Sequence, residues 1–133
     1  MSTMPTHIVH QTIERPWTEV YDFASDPTSM PSWATGLASG LQRDGEDWIA
    51  PGPLGDVHVR FAERNSFGVI DHVVTLPDGL KVYNALRVTP NGSGAEVSFT
   101  VLRLPNMSDE DFQSDVKAVH ADLLSLKKRL ESR

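Results

Sequence analysis

The stretch SDEDFQSDVKAVHADLLSLKKRLE, residues Ser108–Glu131, decides the fold. Phe112, Val116, Val119, Leu123, Leu126 and Leu130 recur at alternating steps of four and three, which places them on one face of an α-helix. The helix start is marked in the residues themselves. Ser108 suits the N-cap, and Asp109, Glu110 and Asp111 follow at the positive end of the helix dipole. Met107 and Phe112 occupy the positions of a hydrophobic staple. Lys127, Lys128 and Arg129 lie near the negative end, where cations are favoured. A helix with a single apolar stripe must bury it against another layer.

The preceding residues supply that layer. His7 to Glu14 reads as a strand. Pro16 opens a short helix whose buried side is Val20, Tyr21, Phe23 and Ala24, and Asp26-Pro27 ends it. Thr28 to Trp33 fits one further helical turn. From Leu37 the hydrophobic period becomes two. Leu37 to Arg43 and Asp47 to Ala50 read as short strands around Asp44-Gly45-Glu46. Val57, Val59 and Phe61 alternate with His58 and Arg60; Ile70, Val74 and Leu76 share a face with His72. Leu80, Val82, Leu86 and Val88 share a face with Asn84, and Ala95, Val97, Phe99 and Val101 form the last strand. Pro77-Asp78-Gly79 and Pro90 to Gly94 are turns. Consecutive strands with one polar face and short turns predict an antiparallel sheet, and the terminal helix is its only long cover.

The totals bound the remainder. The 133 residues suit one domain spanning 1–133. There is no cysteine, which excludes thiolate chemistry and disulfides and fits a cytoplasmic location. A net charge of −6 without a basic run argues against a nucleic-acid partner. No apolar stretch approaches the roughly 20 residues of a membrane span, and MSTMPTHIVHQ lacks the features of a secretory signal.

The order strand, two short helices, about six strands and a long helix resembles the helix-grip fold of the START-like (SRPBCC) superfamily. That group includes polyketide cyclases and dehydrases, birch-type pollen allergens and lipid-transfer domains. The wording is similar as well. Ile13-Glu14-Arg15-Pro16-Trp17-Thr18-Glu19-Val20-Tyr21-Asp22-Phe23, then Asp26-Pro27 and Met30-Pro31-Ser32-Trp33, look like the family's first strand and paired helices. Phe112 to Lys127 looks like its terminal helix. The resemblance covers essentially the whole chain. It implies an α+β fold in which a curved antiparallel sheet of about seven strands grips the terminal helix, with an elongated apolar cavity between them. Because this fold hosts carriers, receptors, cyclases and hydrolases, it does not by itself select an activity.

Two polar residues interrupt apolar faces, His72 and Asn84. If those faces line the cavity, the pair can anchor a ligand, or act as proton shuttle and carbonyl polariser. Alternatively they bond each other or a buried water. Asp71 alternates away from His72 and is expected to face solvent. Trp33 and Trp48 are candidates for the cavity mouth, and Phe61, Phe99, Phe112 and Val116 for its wall. His120 lies beside the helix stripe. The first half of the helix, Phe112, Val116 and His120, is expected at the cavity, and the C-terminal leucines in the core. Asp115 and Asp122 read as a solvated flank. His7, His10, His58, His72 and His120 lack metal-site spacing, and no nucleophile elbow or phosphate loop is present. No metal or other cofactor is expected. These residues favour binding of a small, mostly hydrophobic molecule, by a monomer or homodimer. A polyketide cyclase/dehydrase-like enzyme and a protein-interaction module are the alternatives.

Overall fold

The computed structural model describes residues 2–37 and 40–133. Seven strands form one curved antiparallel sheet in the order β1-β7-β6-β5-β4-β3-β2. They are β1 (Thr6–Ile13), β2 (Gln42–Asp44), β3 (Asp47–Ala50), β4 (Val57–Phe61), β5 (His72–Thr75), β6 (Lys81–Asn91) and β7 (Gly94–Leu102). Helix α1 (Trp17–Ala24) and two 3-10 turns, Met30–Ser32 and Thr35–Leu37, link β1 to β2, and α2 (Asp109–Glu131) closes the chain. Every strand after β1 pairs with its sequence neighbour, whereas β1 pairs with β7 at the far edge. The long strands therefore stand together beneath α2, and the short ones extend past it.

Helix α2 begins as its residues dictate: Ser108 Oγ accepts the Asp111 N–H at 3.1 Å. Its C-terminal half lies flush on β1 and β7. Leu123, Leu126 and Leu130 are buried against Val9, Ile13, Val97 and Val101. Each fully buried leucine contributes about 1.5–3 kcal/mol of transfer free energy. Helix α1 adds Val20, Tyr21 and Ala24 over β6 and β7. Its C-terminal exit is fixed by Asp26, whose carboxylate accepts the Thr28 N–H at 2.9 Å.

Two strands are shorter than the alternation predicts. The stretch expected as a strand from Leu37 to Arg43 pairs only over Gln42–Asp44. Thr35–Leu37 is a 3-10 turn and Gly40 takes φ 101°, which an extended strand cannot contain; Ala38 and Ser39, which fall in the expected strand, lie outside the described residues. The other is β5. Its regular ladder starts at His72 instead of Ile70, because the Leu86 N–H donates to the Asp71 carboxylate at 3.1 Å.

Candidate functional site

The interruption at Asp71 orients His72. Ile70 N–H still donates to Leu86 O at 2.8 Å, and the Ile70 carbonyl accepts from His72 Nδ1 at 3.0 Å. A carbonyl only accepts, so Nδ1 carries the proton and Nε2 presents its lone pair; this bond assigns the tautomer. Burial pushes the imidazole below its ordinary value of 6.5, partly offset by the Ile70 bond and the Asp71 charge. The ring is therefore neutral at neutral pH. His72 stands directly opposite Phe61 on β4 and Asn84 on β6. Its ring centroid lies 5.3 Å from that of Phe61 and 6.3 Å from that of Phe99.

Beyond Asn84 the sheet and α2 part. A cleft of about 320 Å³ opens between β6, β7, the segment after β7 and the middle of α2. Its apolar lining includes Val82, Phe99, Val101, Leu104, Met107 and Val119. Its polar side chains are Thr35, Asn84, Asp115 and Asp122. The helix contributes Asp115, Ala118, Val119 and Asp122, an i, i+3, i+4, i+7 stripe rotated from the leucine stripe. Asp122 Oδ1 accepts from the Thr35 N–H at 3.1 Å and hydroxyl at 2.9 Å. Burial raises the Asp122 carboxyl above its ordinary value despite those two bonds. Asp115, at the rim, is raised by burial and then by the Asp111 charge. Neither the Asn84 amide nor the Asp115 carboxylate has a hydrogen-bond partner among the described residues.

The expected site residues separate into groups. Asn84 and Phe99 line the cleft, and His72 flanks it. Phe61 borders a different depression, between α1 and β4, over which Arg64 pairs with Asp22 and lies 5.0 Å from the Tyr21 ring. Trp33 is buried in the core, and its indole N–H has no partner among the described residues. Trp48 sits half-buried on β3 opposite Val59, with the Arg43 guanidinium 5.5 Å from its ring. Phe112 is buried and Val116 packs partly buried on the same core, while His120 is exposed.

Two expectations about carboxylates need correction. Asp71 does not face solvent: it is 4% exposed, because Tyr83 and Arg87 from β6 close over it. Burial pushes its carboxyl up, but bonds from Arg87 and Tyr83, the Arg87 charge and the Leu86 N–H outweigh this and hold it below 3.8. Asp122 is not a free solvated flank, since it is half-buried and holds both donors of Thr35, whereas Asp115 is exposed, as expected, at the rim of the cleft. Apolar periodicity does not reveal them, because their stripe mixes two aspartates with Ala118 and Val119. The spacing of seven with Ala-Val between is the signal that was present.

A sheet gripping a terminal helix, with a partly polar cleft where the two separate, defines the helix-grip class. From residue 5 to residue 131 the chain matches the family described as polyketide cyclase/dehydrase and lipid transport, and it belongs to that family. No curated protein matches it. Solved structures of similar shape share little sequence. A protein from Mesorhizobium loti is 12% identical with a TM-score of 0.75, covering 96% of this chain and 98% of its own. The Aha1 dimer from Colwellia psychrerythraea is 14% identical with a TM-score of 0.76, over 96% and 97%. Ara h 8.0201 is 12% identical with a TM-score of 0.67, over 98% and 99%. Among the described residues no helix is long and apolar enough to cross a membrane.

Proposed function

We propose that the protein binds a small, mostly apolar molecule in the cleft between β6, β7 and the middle of α2. The observation that carries this reading is the cleft itself: the apolar stripe of α2 packs on the core, while its Asp115–Asp122 stripe borders an open space beside β6 and β7. The space has an apolar wall and few polar groups, the usual make-up of a small-molecule site. Asn84 and Phe99 contact the ligand in this reading, and Asn84 supplies an amide that has no hydrogen-bond partner among the described residues. Thermal-shift measurement against a library of lipids and aromatic compounds tests it. Apolar members should raise Tm with concentration, by about 2.7 kcal/mol of stability at a hundredfold excess over Kd. Absence of stabilisation across the library removes the reading.

A second reading, a cyclase/dehydrase-like enzyme, rests on a separate observation. Neutral His72 offers an Nε2 lone pair beside Asn84. His72 then takes a proton from carbon or oxygen of a bound carbonyl compound, and the Asn84 amide donates to its oxygen. A His72→Ala variant that turns over such a substrate at the parent rate eliminates this mechanism. For the assembly we propose a monomer or a homodimer; one relative of similar shape is a dimer. Light scattering on the eluting protein decides between them.

A further inference from the structure

Charge narrows the chemistry of the ligand. Two carboxylates border the cleft, and among the described residues no lysine, arginine or histidine lines it. Arg103, between Leu102 and Leu104, is committed elsewhere: its Nε donates to Met107 O at 3.1 Å, and its guanidinium pairs with Asp109. Lys117 follows Asp115 by two positions, which turns it to another side of α2, where it lines a separate surface depression. Elsewhere several carboxylates of the fold have a cationic partner. Glu19 has Arg15, Asp71 has Arg87, and Glu131 has Lys127 and the Glu14 N–H. Glu96 is held by His10 and Thr12. The cleft departs from this pattern. Half-buried Asp122 receives only the two neutral donors of Thr35, and Asp115, exposed at the rim, receives no donor among the described residues.

We propose that the cleft selects a cationic ligand: an aromatic or alicyclic body against Phe99, Val101 and Val119, carrying a protonated amine held at Asp115 and Asp122. This rests on the reading of the cleft as a ligand site. An ammonium supplies the charge that both carboxylates lack, most effectively at Asp122, which is half-buried while Asp115 is exposed at the rim. An anionic ligand of the same shape would add a third negative charge to the cleft, in a chain whose net charge is already −6. Seven residues of helix separate the two aspartates by about 10 Å. A monoamine therefore engages one carboxylate directly and feels the other at longer range. Opposite charge acts here as selection among apolar molecules of one shape, by attraction for the amine and repulsion of the acid.

A matched series measures this directly. Naphthylethylamine, naphthylethanol and naphthylacetate share one apolar body and differ in head-group charge. Titration calorimetry at neutral pH and low ionic strength should rank the amine tightest and the acetate weakest. Amine and alcohol should differ by roughly tenfold, and the gap should shrink with added salt. In the Asp115→Asn, Asp122→Asn double variant the amine should lose its preference over the alcohol. Asparagine keeps an acceptor for Thr35, and circular dichroism confirms that the variant is folded. If the alcohol binds and the amine binds no tighter, or if the amine preference survives in the double variant, the cationic selection is overturned while the cleft stands as a ligand site. If none of the three binds, the ligand site and its selection fall together.

Discussion

Asp71, buried beneath β6, and Asp115, exposed at the rim of the cleft, are carboxylates that the fold treats in opposite ways. Asp71 is surrounded by donors. Tyr83 Oη donates at 2.6 Å, Arg87 Nη2 at 2.9 Å and the Leu86 N–H at 3.1 Å. The strand ladder itself is rearranged to serve it. Asp115 receives no donor among the described residues, although the cleft beside it also holds the unpartnered Asn84 amide. A saturated polar group fixes the backbone around it and has no capacity left for a ligand. An unsaturated one at the edge of an apolar cleft costs stability and is available. The comparison thus separates polar residues that build this fold from those that can recognise something.

If the segment around Asp71 is structural, its backbone should tolerate little change. The largest effect is expected at Gly68, whose φ is 74° and whose carbonyl accepts the Val88 N–H at 2.8 Å. A Cβ there would lie 1.9 Å from Val88 O, a backbone atom that cannot step aside. Gly68→Ala should cost on the order of 3 kcal/mol or more, combining strain and overlap. Urea denaturation should show a lower midpoint with an unchanged m-value. A variant as stable as the parent would mean that this segment is not held as described.

Asp71→Ala comes next. It orphans the Leu86 N–H and leaves Tyr83 and Arg87 without their acceptor, for an expected loss of about 2–3 kcal/mol. Its pH dependence has a defined sign. The folded-state carboxyl lies below its ordinary 3.8, so its contribution is fully present above the unfolded value and is lost as pH falls through the folded one. The gap between parent and variant should be constant near neutrality and narrow only in acid below about pH 4. Tyr83→Phe removes a single donor from a site with several, and about 1 kcal/mol is expected. Parallel melting curves of the two variants rank them; a larger loss for Tyr83→Phe would reverse the account of Asp71 as the centre.

These ranks also show where sequence patterns succeed. The terminal helix is legible because its determinants are local: Ser108 caps it, and Leu123, Leu126 and Leu130 fall on its stripe. The strand faces are legible because Val57, Val59, Val97 and Val101 alternate with polar neighbours. Asp71 is not legible, since its donors lie 12 and 16 positions away and converge only once β5 and β6 are in register. Asp115 and Asp122 are missed for another reason. The helix packs on the core along its apolar stripe from Phe112 to Leu130, and its cleft-facing stripe is turned from that one. Periodicity reports which residues pack; it does not report where two layers fail to meet.

The smallest expected effect is the most discriminating, because its sign is reversed. The Asp115 carboxyl lies above its ordinary 3.8, raised by burial and then by Asp111. The charged groups near it are Asp111 and Asp122, both on its own helix one turn before and two turns after, with no lining cation among the described residues. A raised acid is less comfortable ionised in the folded protein than in the unfolded chain. The penalty is therefore absent in acid, appears as pH climbs above about 3.8, and is complete above the folded value. Asp115→Asn removes an ionised group and should stabilise at neutral pH, by no more than roughly 0.5 kcal/mol because the site is at the rim. Paired denaturation curves at neutral and acidic pH should show this gain at neutrality and its loss in acid, the opposite of the Asp71→Ala loss, which diminishes in acid. A neutral-pH destabilisation by Asp115→Asn would reveal a partner for the carboxylate and place Asp115 with Asp71, among the residues that build the fold.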